Sequence, residues 1–165
     1  MSYTIEKVTF IERSTLERLL ELYLYEFSSW ENTDVNQHGL YGYPYLDYYF
    51  TEPKRFAYFI KVDGNLAGFA MVCDYCYVRN DDAFFMAEFF ILKKYRNKGI
   101  GKLSAIEVIK KHPGSWELTV HPKNTGSHSF WHSVIQAVSK NYEIIENVEG
   151  VYEETLASAF LFEVE

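Results

Sequence analysis

Apolar positions along this chain recur with a period of two in some stretches and about 3.6 in others, and each change of period marks an element. Residues 4–11 alternate as a first strand. Ser14-x-x-Glu17 has a capping-box pattern, and Leu16, Leu19, Leu20, Tyr23, Leu24 and Phe27 then form one helical face. Residues 28–50 lose the period and hold Trp30, Tyr41, Tyr43 and Tyr45 among turn formers, with a short helix expected near 45–50. Runs at 55–62 and 66–77 flank Asp63-Gly64-Asn65, a hairpin signal, and Asn80-Asp81-Asp82 turns the chain into a strand at 83–92. A helix at 101–112, a break at Pro113-Gly114, a strand at 115–120 and a helix at 127–138 follow. The chain closes with strands at 142–147 and 155–163. This order predicts an α/β (α+β) fold: a mixed, mostly antiparallel sheet of six to seven strands, flanked by about four helices, in one domain over 1–165. The unit from strand 83–92 to strand 115–120 should be a right-handed crossover joining parallel strands.

Composition narrows the function classes. The 165 residues are 48% hydrophobic, enough for a sizeable core, with 14 Tyr, 13 Phe and 3 Trp. A net charge of −7 leaves no basic excess for phosphate neutralisation, so no nucleic-acid partner is expected; the field weakly favours cationic small molecules. The opening MSYTIEKVTF is charged and lacks the apolar core of a secretion signal, and no apolar run approaches the roughly 20 residues of a membrane span. Cys73 and Cys76 would face opposite sides of a strand and read as reduced thiols, in keeping with a cytoplasmic protein. His121, His128 and His132 have no acid or cysteine placed to complete a metal site, so no metal is expected.

The chemistry concentrates in residues 84–103, FFMAEFFILKKYRNKGIGKL. A β-favouring run with one embedded acid, Glu88, feeds a basic turn with two glycines and then a helix. Glycines let backbone N–H groups approach an anion closely, and the helix directs its positive end to the same place. The spacing is neither a P-loop nor a dinucleotide fingerprint; R-x-x-G-x-G stands instead. The six residues alone would equally suit an ordinary turn with surface lysines. The aromatic stretch at 28–50 reads equally as a substrate wall, with Trp30, Tyr41 and Tyr43 as candidates, or as a loop packed by its own rings.

The element order and this turn resemble the GCN5-related N-acetyltransferase (GNAT) superfamily. FFILKKYRNKGIGKL is similar to its acetyl-coenzyme A motif, and Asn124-x-x-Ser127-x-x-x-Trp131 sits where the family commonly has N-x-x-A-x-x-x-Y. The resemblance implies a GNAT-like acyl-CoA acyltransferase fold and acetyl-coenzyme A as cofactor. Phe89, Phe90 and Ile91 would then pair their backbone with the pantetheine arm. Arg96, Asn97, Lys98, Gly99, Ile100 and Gly101 would hold the pyrophosphate with Lys102 nearby, and Asn124 would flank the far side of the slot. It also implies direct acetyl transfer to a primary amine of a small molecule or peptide.

Such a reaction needs a base to deprotonate the amine, and Glu88, raised in pKa by burial among phenylalanines, is the candidate. Trp131 replaces the tyrosine that often protonates the leaving thiolate, and an indole N–H cannot do so. His128, His132 and Tyr142 are the neighbouring alternatives. The substitution also keeps open a non-catalytic acyl-coenzyme A-binding sensor module. The sequence does not name the acceptor; protein N-termini, lysines, polyamines and aminoglycosides all qualify. The C-terminal strand, expected to be exposed, could pair across a homodimer.

Overall fold

A computed structural model describes all 165 residues. Strands β1 (Tyr3–Lys7), β2 (Phe56–Val62), β3 (Asn65–Cys73), β4 (Ala83–Ile91), β5 (Gly114–Val120), β6 (Tyr142–Val148) and β7 (Ala157–Val164) form one sheet in the order β1-β2-β3-β4-β5-β7-β6. Every neighbouring pair is antiparallel except β4 with β5. Helices α1 (Arg13–Glu31), α2 (Tyr48–Thr51), α3 (Ile100–Lys110) and α4 (Thr125–Val138) cover its faces.

The alternation of side chains divides the core in two. Ala57, Phe59, Phe69 and Met71 pack under Leu16, Leu19 and Leu20 of α1. Tyr58, Ala70, Val72 and Leu118 pack under Val108 and Ile109 of α3 and Val134 and Ile135 of α4. The mixed sheet with four helices is the expected architecture. No helix is long and apolar enough to cross a membrane.

Several boundaries differ from the pattern, each for a physical reason. The first strand ends at Lys7, because Thr9 starts a 3-10 turn: the Glu12 carboxylate reaches back to the Thr9 N–H at 2.9 Å. Glu17, expected in a capping box, instead accepts from Arg13 at 2.7 Å. Helix α1 runs on to Glu31 and stops at Asn32 in a left-handed conformation, so Trp30 is helical and not in a loop. Strand β3 ends at Cys73, because the loop after it is pulled onto buried Glu117. That carboxylate accepts the N–H groups of Tyr77, Val78 and Arg79 at 2.7, 3.0 and 2.8 Å. The opposite-faces reading of Cys73 and Cys76 therefore lapses: both thiols are free, and Cys76 lies beyond the strand. The C-terminal strand is not exposed. β7 lies between β5 and β6, so the open edges belong to β1 and β6.

Candidate functional site

The two parallel strands are neighbours only where they begin. Ala83, Phe84 and Phe85 pair with Ser115, Trp116 and Glu117, and beyond these residues the strands part. β4 stays bonded to β3 through to Ile91, so its opposite edge has no strand partner. The gap opens a cavity of about 750 Å³ that passes through the sheet. Phe130 and Trp131 of α4 line it on one face, and Tyr23, Phe27 and Trp30 of α1 line it on the other.

A bulge at the gap sets which way the acid points. Met71 pairs with Glu88 while Val72 pairs with Met86, which leaves Ala87 as an extra residue. An inserted residue reverses the alternation beyond it. Met86 packs toward α3 and α4, whereas Glu88 turns toward α1. There the Tyr43 hydroxyl donates to Glu88 Oε1 at 3.1 Å, and the Tyr23 phenol stands close enough to the same carboxyl to favour its charged form. The residue keeps a little accessible surface, but its carboxyl is enclosed. Burial pushes its pKa up to about 7, and the two phenols offset part of that rise. Glu88 does not line the cavity; Tyr23, which does, links the carboxyl to it. The ring of Tyr23 is fixed between Phe27, Phe69 and Phe90, with centroids 4.9, 5.8 and 5.6 Å away.

At the other end, Asn97 and Gly99 have positive φ, 60° and 81°, and α3 starts directly after them. The backbone N–H groups of residues 97–102 find no acceptor in the protein. Consecutive free amides curled by left-handed residues, ahead of a helix N-terminus, form a concave anion site. Lys102 lines the cavity without a protein partner for its ammonium. Ile100 contributes its amide only, since its side chain is buried with Ile91 and Tyr95. The other two charges are spent elsewhere. Lys98 Nζ donates to the Lys94 carbonyl at 3.0 Å. Arg96 donates Nε to the Ile91 carbonyl at 2.7 Å and grips Glu26 with both terminal nitrogens, at 2.9 and 3.0 Å. Its guanidinium ties the turn to α1 through the Glu26 carboxylate, and the residue also borders the cavity.

The remaining candidates divide. Asn124 precedes α4, lines the cavity and makes no capping bond with its side chain. Phe89 lies against Trp131 and Phe130, at 5.2 and 5.8 Å, on the same wall. Phe90 packs on the α1 face and Ile91 into the core, and both border the cavity. Tyr41 stands outside, its N–H donated to Glu21 at 2.8 Å. Tyr43 reaches Glu88 but not the cavity. His128, His132 and Tyr142 pack around Phe160, the latter two hydrogen-bonded to each other, and none borders the cavity.

Sequence reasoning missed Tyr152 and His121. Tyr152, in the β6–β7 connection, lies tilted against His121 at 4.5 Å and lines the cavity. Burial holds its pKa well above the usual tyrosine range. The neighbouring Thr119 hydroxyl opposes part of that rise. His121 Nδ1 accepts the Lys123 N–H at 3.1 Å, which places the ring proton on Nε2, 2.5 Å from Glu31 Oε1. Both nitrogens are engaged, so His121 is not a free base.

The sequence model of the acetyltransferase (GNAT) family matches residues 16–134. No curated protein sequence matches the chain. Among solved structures, a GNAT-family acetyltransferase from Streptococcus agalactiae superposes with a TM-score of 0.70 at 16% identity, covering 99% of this chain and 96% of its own. An acetyltransferase from Thermus thermophilus gives 0.69 at 11% identity, over 99% and 98%. Aminoglycoside acetyltransferase AAC(6')-Ib, solved with coenzyme A, gives 0.68 at 11% identity, over 98% and 95%. At these identities the superpositions speak for the fold, and the match over 16–134 for descent: the chain belongs to the GNAT acetyltransferase family.

Proposed function

We propose that this protein transfers an acetyl group from acetyl-coenzyme A directly to a primary amine. The observation that carries the reading is one cavity crossing the sheet, bordered by the free amides of residues 97–102 and by Tyr23, behind which the buried Glu88 carboxyl lies. The donor supplies an activated acyl carbon and a thiolate leaving group. The residues present fit it. The amides of 97–102 and Lys102 suit a pyrophosphate, while Arg96 braces the turn through Glu26. The unpaired edge of β4 at Phe89, Phe90 and Ile91 offers backbone groups to an amide-bearing arm, and Asn124 stands opposite on α4. The coenzyme A bound by AAC(6')-Ib accords with this assignment.

The amine must shed a proton to attack. Tyr23 passes it to the Glu88 carboxylate, which is weakly solvated and, with its pKa near 7, ionised in a large fraction of molecules at neutral pH. A free backbone N–H on the β4 edge serves the developing oxyanion. Trp131 has no proton to give, but Tyr152 does. Its partner Thr119 lies two residues beyond Glu117, the last β5 residue paired with β4, where the gap begins. Tyr152→Phe keeps the ring on His121 and removes the proton; kcat should fall about tenfold with coenzyme A affinity unchanged. An unchanged kcat would take Tyr152 out of this role.

The cofactor assignment has its own test. Coenzyme A at a hundred times its Kd should stabilise the fold by about 2.7 kcal/mol in a thermal-shift titration. No shift at millimolar ligand would defeat the reading. Thiol release from acetyl-coenzyme A that rises with added amine distinguishes a transferase from an acyl-coenzyme A sensor, which would bind without turnover. Nothing in the proposed reaction calls on a metal or a nucleic acid.

A further inference from the structure

The acceptor end of the cavity is aromatic and, despite a net charge of −7, offers no unpaired carboxylate. Positions 23, 26, 27 and 30 of α1 fall on one helical stripe facing the gap. Three of them are rings: Phe27 lies tilted against Tyr23 and edge-on to Trp30, at 4.9 Å in each case. Trp30 continues onto His121 at 6.0 Å, and His121 onto Tyr152 at 4.5 Å. The rings therefore form a continuous wall from one side of the gap to the other.

The acids along the cavity and its ring wall are engaged. Glu26, on the stripe, gives both oxygens to Arg96 of the turn. Glu31 is held by His121 Nε2, and the backbone N–H of Lys123 fixes that tautomer. Lys123 Nζ also donates to the Trp30 carbonyl at 3.2 Å, which places a cation at the mouth beside Glu31. Glu88 alone remains to balance a positive charge, and it acts through Tyr23. A polyamine or an aminoglycoside carries several ammonium groups, each needing a carboxylate or water to replace its hydration. This site can serve one.

We infer that the acceptor is a monoamine bearing a flat aromatic group next to the amine, an arylalkylamine in chemical class, with its ring against Phe27 and Trp30 and its nitrogen toward Tyr23. The inference rests on the transferase reading and narrows it. The weak preference for cationic small molecules expected from the overall acidity does not extend to polycations here, because the net charge resides outside the cavity.

Binding tests it without requiring turnover. The protein saturated with coenzyme A is titrated by calorimetry with phenethylamine, tryptamine, spermidine and kanamycin. Phenethylamine and tryptamine should bind at least tenfold more tightly than the two polycations. Trp30→Ala should weaken phenethylamine about tenfold and leave coenzyme A affinity alone, and Trp30→Phe should restore most of the loss. Spermidine or kanamycin binding as tightly as phenethylamine would overturn the inference, as would indifference of phenethylamine to Trp30→Ala. Failure of coenzyme A itself to bind would instead remove the transferase reading on which the inference stands.

Discussion

Glu88→Gln should lower kcat by two to three orders of magnitude and, above neutral pH, make the protein more stable. The first effect follows from proton removal: a positioned base contributes about 10²–10⁴ in rate, and a glutamine cannot accept the proton. The wild-type rate should fall about tenfold per pH unit below the apparent pKa near 7, and the variant's residual rate should lose that limb. The second effect follows from linkage. Burial raises the folded-state pKa from 4.5 to about 7, so the folded protein holds this proton more tightly than the unfolded chain. Stability is therefore lost as pH rises from about 4.5 to about 7 and stays at its lower level above. Glutamine escapes that loss while still accepting from Tyr43, so the variant should gain up to about 3 kcal/mol at pH 8 and little at pH 4. Urea unfolding at the two pH values, beside steady-state rates, reads both effects. Full turnover at neutral pH would remove Glu88 as the base, and equal stability at pH 8 would deny its buried charge. A site that is both active and strained by its own acid is the usual compromise between stability and activity.

The elements were legible in the chain because their signals are local. The run 84–92, the glycine turn and the hairpin at Asp63-Gly64 each declare themselves within ten residues. The site was less so, because its geometry depends on pairings between distant segments. Simple alternation along FFMAEFFI puts Glu88 on the face of Met86; only the register against Met71 and Val72 reveals the bulge at Ala87 that turns it to α1. Arg96 was recognisable as a charge near a phosphate-type turn, but its partner Glu26 lies 70 residues earlier. Tyr152 carries no local signal at all: it reaches the cavity because β7 inserts between β5 and β6, an order that sequence succession does not reveal. Trp30 was legible as a candidate for the substrate wall but not as part of α1, although Tyr23, Phe27 and Trp30 continue the helical spacing past residue 28.

Gly68→Ala should be the most damaging small substitution outside the cavity. Gly68 pairs with Ile60 on one side and Ile91 on the other, beside a bulge where Ala67 has no partner on β2. The Ala67 carbonyl accepts the Leu92 N–H at 2.8 Å, which draws the end of β4 tightly across β3. A Cβ at Gly68 would lie 2.1 Å from the Phe90 carbonyl oxygen and 3.1 Å from Ile91 Cα. These are backbone atoms, so no rotamer change relieves the clash; the Phe90–Ile91 peptide must move. Overpacking commonly costs about 1–3 kcal/mol, and backbone displacement puts this case at or above the upper end, a large share of the roughly 5–15 kcal/mol that holds a domain together. The displaced peptide is also the proposed pantetheine contact, so coenzyme A affinity should drop about tenfold in whatever fraction stays folded. Gly101→Ala makes the comparison specific. Its Cβ would meet only side chains, the Phe130 ring at 3.4 Å and Ile91 Cγ1 at 3.6 Å, and alanine favours the helix by about 0.8–1 kcal/mol. Urea midpoints should therefore move in opposite directions for the two variants. A Gly68→Ala protein that unfolds with the wild type would mean that β4 is not held against β3 by this contact, and the parting of β4 from β5 would need another cause.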